Sequence, residues 1–171
     1  MKMARRTAKR KKTQVPPPSQ QPQPYISKPI RLNIKKLENP FYRADLEFHR
    51  VDHSADSYEG RVFLNNLNAN QDTPKILKEG YVGSYHIFGH GGCYGDVGHC
   101  EIRRDRRPYD YRPPHQLTPL YKRLIVTDAL RKFGKDTDKF TVTIVPVLAG
   151  GSTMKNKDIV KVDKISIVTY D

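Results

Sequence analysis

Hydrophobic and polar residues alternate with period two along most of this chain, and that spacing predicts short half-buried strands. Ile30, Leu32 and Ile34 alternate with Arg31, Asn33 and Lys35. After a turn at Asn39-Pro40, Leu46 and Phe48 alternate with Asp45, Glu47 and His49. Asp52 to Ser57 carries turn chemistry. Gly60, Val62 and Leu64 then alternate with Glu59, Arg61 and Phe63. A polar loop from Asn65 to Pro74 leads to a strand in which Tyr85 and Ile87 share one face and His86 and Phe88 the other. Lys122, Leu124 and Val126 resume the alternation, Phe140 to Val147 is rich in β-branched residues, and Ile159 to Tyr170 supplies one or two strands more. Thr127-Asp128 reads as the cap of a short helix from Ala129 to Phe133, which Gly134 ends.

The expected fold is therefore all-β, mainly an antiparallel β-sandwich of seven to eight strands with one short helix. Each strand has one apolar face, so two sheets are needed to cover both apolar sides. Residues 1–28 break the pattern. Val15 to Pro24 holds five prolines in ten residues, which favours an extended spacer with no core to bury. The division is a disordered basic, proline-rich tail at 1–28 and a sandwich domain at 29–171.

Charge sharpens the picture of the tail. The net charge is +13, and Lys2, Arg5, Arg6, Lys9, Arg10, Lys11 and Lys12 supply seven positive charges, leaving 13 − 7 = +6 on the body. Such a tail suits contact with a polyanion, and a solvated tail without a fixed partner is the alternative. No apolar run approaches the ~18 residues of a membrane helix. No apolar stretch follows the basic N-terminus as a signal peptide requires, so the expectation is a cytoplasmic protein, with export by another route left open.

Candidate chemistry gathers after the strand at 81–88. His90, Cys93, His99 and Cys100 sit among five glycines, Gly89, Gly91, Gly92, Gly95 and Gly98, that let the backbone fold tightly. Thiolate and imidazole suit zinc or cuprous copper, although the Cys-x6-Cys spacing is not a zinc signature. A Cys93–Cys100 disulfide and plain local packing are the other readings, and no cofactor follows from the spacing alone. Two His-x-x-x-His spacings, His49/His53 and His86/His90, fall in strands. There the side chains start ~13 Å apart, too far for one metal unless the chain bends at Gly89. The glycine loop is followed by no Lys-Ser/Thr and no helix, which argues against a phosphate cradle. No nucleophile elbow or kinase signature occurs.

A second cluster lies in the proline-rich excursion at 103–119. Arg103, Arg104, Arg106, Arg107 and Arg112 surround Tyr109 and Tyr111. The combination suits phosphate contact with base stacking, an interface with a protein, or arginines paired with Asp105 and Asp110.

Glu47 to Asn66 and Gly83 to Cys100 resemble the C-terminal domain of bacterial tyrosinase-like (polyphenol oxidase) proteins. Arg107 to Pro119, Val126 to Leu130 and Val142 to Val147 look similar in order and spacing, so the resemblance covers roughly 44–148. It implies a β-sandwich that packs over a helical type-3 copper domain and covers the copper entrance. The helical domain with its six histidines is missing from this sequence, so no oxidase site carries over to any residue. The resulting expectation is a non-catalytic binding module, a free-standing cover or partner of a tyrosinase-like copper oxidase. A nucleic-acid-binding protein using the tail and the Arg/Tyr loop is the alternative, as is a self-assembling subunit joined through strand edges.

Overall fold

A computed structural model describes residues 22–34, 41–90, 109, 117–148 and 158–171. Nine strands, one α-helix and a 3-10 turn are formed among them. In chain order the elements are β1 (Tyr25–Ile26), β2 (Ile30–Arg31), β3 (Arg43–Val51), β4 (Tyr58–Leu64), β5 (Tyr81–Ile87), β6 (Leu120–Ile125), α1 (Thr127–Phe133), β7 (Lys139–Phe140), β8 (Val142–Leu148) and β9 (Lys164–Tyr170). The 3-10 turn, Leu77–Glu79, precedes β5.

Two antiparallel sheets carry the architecture. One has the order β1-β8-β4-β5 and the other β6-β3-β9, with β2-β7 as a small separate pair. The fold is thus the mainly antiparallel sandwich that the alternation predicts. In β3 the apolar residues follow the alternation from Ala44 to Phe48: Ala44, Leu46 and Phe48 are fully buried toward the core. On the other side Glu47 and His49 keep access to solvent and Asp45 is buried. Past Phe48 the register shifts and Val51 turns inward. Phe48 meets Tyr85 of the opposite sheet, ring centroids 5.1 Å apart. Val62, Ile87, Val142 and Ile144 complete the layer between the sheets, and Ala129 and Leu130 of α1 join the same core.

Four details differ from the expectation. The sandwich takes in Tyr25–Ile26, which the proline pattern assigns to the tail; these residues pair with Ile144 and Thr143 at the edge of β8. The Ile30–Ile34 alternation yields only two ladder residues, because β7 offers just Phe140 and Lys139 as partners. Beyond them Ile34 packs onto Gly134, where an added Cβ would overlap its side chain. Phe63 is buried although it faces away from the main core. The loop after β4 folds back over it, and Phe63, Ala69, Val145 and Tyr81 form a second small cluster. Finally, Thr127 does not cap α1, whose N-cap is Val126 with no side-chain cap bond. The Thr127 hydroxyl oxygen instead accepts the Ala44 N–H at 2.9 Å, tying the helix to β3.

Candidate functional site

The β3–β4 turn and the end of β5 come together at one rim of the sandwich. Asp52 Oδ1 accepts the Ser54 N–H at 2.8 Å, a side-chain-closed turn of the kind its sequence suggests. Across from it, Gly89 donates its N–H to Ser57 Oγ at 3.0 Å. Only glycine fits at 89, since a Cβ there would overlap the Ala55 carbonyl oxygen and the Asp56 backbone. This close approach carries His90 onto the turn, where its N–H donates to the His53 carbonyl at 3.1 Å. The His53 and His90 rings stand edge to face, centroids 5.0 Å apart.

Neither four-residue histidine spacing forms this contact. His86 is exposed on the outer side of β5. His49 lies on the outer face of β3, where its Nε2 is 2.7 Å from Ser166 Oγ and 3.3 Å from Glu47 Oε2. That trio resembles a hydroxyl, base and acid in composition only. A nucleophile-activating imidazole takes the hydroxyl proton on one nitrogen and is held by the carboxylate through the other. Here one nitrogen faces both partners, and the second Glu47 oxygen accepts the Tyr121 hydroxyl at 2.6 Å. The arrangement is a hydrogen-bonded surface network.

The network is part of a larger face on the outer side of β6-β3-β9. Asp45 is fully buried there. Arg43 donates Nε–H and an Nη2–H to its two oxygens, each at 2.8 Å, and Arg123 adds a contact at 3.6 Å. The paired Arg43 guanidinium holds the Asp45 carboxyl below the usual carboxylate range, against the opposing effect of burial. Hydrogen bonding to Glu47 pushes the Tyr121 phenol up to about 12. Arg43 also lies over the Tyr170 ring, 5.6 Å from its centroid, and Tyr170 is 6.4 Å from the Tyr42 ring. Tyr42, Tyr121 and Ile125 remain 65, 51 and 63% exposed. Sequence reading missed this face because its residues are scattered over three strands; the alternation shows which residues face outward, but not which strands stand side by side.

A cleft of about 620 Å³ lies where β1 approaches the end of β3, near Arg50 and Asp52. Its charges answer one another: Arg50 pairs with Asp163 at 2.8 Å, and Lys161 approaches Asp52 at 3.8 Å.

Of the sequence-predicted site residues, His90 is placed at the rim just described. Tyr109 is 88% exposed, with a left-handed backbone φ of 67°. Cys93, His99, Cys100, Arg103, Arg104, Arg106, Arg107, Tyr111, Arg112 and the basic tail lie outside the described residues. No group of three or more histidine, cysteine or acidic residues fit for a metal occurs among the described residues. Among them, no helix is long and apolar enough to cross a membrane.

The geometry defines an antiparallel β-sandwich with a tyrosine- and arginine-bearing outer face. No protein-family model matches the chain, and no curated protein matches it. Solved structures of latent aurone synthase (polyphenol oxidase) are similar to it. For the recombinantly expressed enzyme the TM-score is 0.47 at 14% identity, covering 85% of this chain and 24% of that one. For the enzyme from natural source the TM-score is 0.49 at 16% identity, covering 86% and 24%. This chain spans about a quarter of the length of those structures, and their activity is not carried over.

Proposed function

We propose that this chain is a non-catalytic binding module whose partner is another protein. The outer face of β6-β3-β9 carries the reading. Tyr42, Tyr121 and Tyr170 stand there beside Arg43 and Arg123, with Ile125 exposed at the edge. Tyr and Arg are the residue types that anchor protein interfaces, because both combine apolar contact area with directional hydrogen bonding. The existing bonds to Asp45 and Glu47 hold three of these side chains in place, which lowers the entropy lost when a partner docks.

The partner we propose is a tyrosinase-like copper oxidase, which this module would cover or accompany. The sequence resemblance over roughly 44–148 supports that choice. The test is direct binding of the purified chain to a tyrosinase-type copper domain, followed by titration calorimetry. A specific complex weakened about tenfold or more by Arg123→Glu or Tyr42→Ala supports the reading, since a central interface anchor costs more than ~1 kcal/mol when truncated. Absence of binding, or binding indifferent to both substitutions, overturns it.

The charge of the tail favours a second reading, contact with nucleic acid. Seven of the +13 net charges precede residue 13. Affinity for DNA or RNA that falls steeply with salt, and is lost when residues 1–12 are removed, would select it.

A further inference from the structure

We propose that His53 and His90 form a pair of imidazole ligands for a divalent transition metal of the zinc class, independently of any protein partner. They stand 37 residues apart in the chain, and β3, β4 and β5 bring them together. The ring centroids are 5.0 Å apart. Two imidazoles bound at about 2.1 Å to one tetrahedral ion hold their centroids roughly 5 Å apart, so the observed ring separation matches that of two ligands on one ion.

The hydrogen bonds prepare both rings for this role. His53 Nε2 lies 3.0 Å from the Thr118 carbonyl oxygen. A carbonyl only accepts, so the His53 proton is on Nε2 and the lone pair on Nδ1. His90 Nδ1 faces the His53 carbonyl at the longer distance of 3.4 Å, which places its proton there and the lone pair on Nε2. Each imidazole therefore has one nitrogen held by a backbone carbonyl and the other free to donate an electron pair. Histidines that bind metals show this division of labour, because the outer bond fixes the tautomer and raises the basicity of the ligating nitrogen. Gly89 secures the pair, since its tight contact with Ala55 and Asp56 fixes where the chain leaves β5.

The same geometry explains why this chelate escapes a search for histidines four residues apart. His53 belongs to a turn between strands of different sheets, and His90 to the exit of a third strand. A tetrahedral ion keeps two positions beyond these ligands, open to water or to other donors.

The experiment is Zn²⁺ titration of the full chain against a chromophoric chelator, comparing wild type with His53→Ala, His90→Ala and His86→Ala. Circular dichroism checks that each variant keeps its β fold. Wild type is expected to bind one Zn²⁺. His53→Ala and His90→Ala should each weaken it on the order of 10–100-fold, the range found when a metal site loses even a supporting residue, with loss of a ligand at the upper end. His86→Ala, on the exposed side of β5, should bind as wild type. Equal affinity in wild type and His53→Ala overturns the proposal, and so does an equal loss in His86→Ala, which would mark non-specific surface chelation. Should His53→Ala unfold, the imidazole resonances of His53 and His90 in wild type decide the matter. Shifts of both on adding Zn²⁺ support the site, and resonances unmoved at saturating Zn²⁺ overturn it.

Discussion

Arg43 grips Asp45 with two hydrogen bonds of 2.8 Å from two residues away on the same strand face, covering a carboxylate that no solvent reaches. Asp45→Ala is expected to destabilise the protein by about 1–3 kcal/mol, since two charge-assisted bonds are lost and Arg43 is left without its partner. Arg43→Ala leaves the buried charge with the longer Arg123 contact and the Tyr170 hydroxyl, and should cost a similar amount or less. Urea unfolding of both single variants and the double variant measures the coupling, and additive losses would show that the two side chains do not act as a pair.

The same pair predicts behaviour in acid. The folded state holds the Asp45 pKa below that of the unfolded chain. Its contribution is therefore complete above the unfolded value of about 3.9 and is lost as pH falls through the lower folded value. Unfolding midpoints should drop on acidification below about pH 4, more in wild type than in Asp45→Asn. Equal slopes in the two proteins would remove Asp45 from the account.

Tyr58 and Tyr85 make the opposite prediction in base. Both phenols are buried in the core, where their hydroxyls interact with each other but neither makes a well-formed hydrogen bond among the described residues. Burial pushes Tyr58 up to about 12 and Tyr85 further still. Folding favours the protonated phenols, so their contribution is present below the ordinary value of about 10 and is lost as pH rises through the folded values. Ultraviolet titration should show these two tyrosines ionising only as the protein unfolds. Tyr85→Phe removes a buried hydroxyl that makes no well-formed hydrogen bond among the described residues and should leave stability unchanged or raise it by up to about 1 kcal/mol. A loss beyond 1 kcal/mol would mean that the hydroxyl is satisfied.

Gly89→Ala is expected to destabilise by about 1–3 kcal/mol, because its new methyl group would overlap the Ala55 carbonyl and the Asp56 backbone. The same change should disturb the His53–His90 contact, which can be followed by histidine ring resonances. An unaltered denaturation midpoint would show that the turn yields easily.

Thr127→Val tests the bond that ties α1 to β3. It keeps the shape of the side chain but deprives the Ala44 N–H of its acceptor, and Ala44 is fully buried. A loss of about 1–3 kcal/mol is expected in thermal or urea unfolding. A loss below about 0.5 kcal/mol would mean that the bond contributes little to stability.

The sequence by itself determined the longer strands and the side that each turns to the core. Alternation places Leu46, Phe48, Tyr85 and Ile87 inward, because a strand sends successive side chains to opposite sides whatever lies beside it. It also determined the turn at Asp52–Ser57 and the helix before Gly134, both written in local chemistry. Only the tertiary structure decided which strands became neighbours. That choice set Arg123 and Tyr170 around Asp45, buried Phe63 under its own loop and brought His53 to His90. Local pattern records the direction of a side chain and carries no record of what faces it. The partners of Asp45 and of His53 therefore depend on how the two sheets close upon each other.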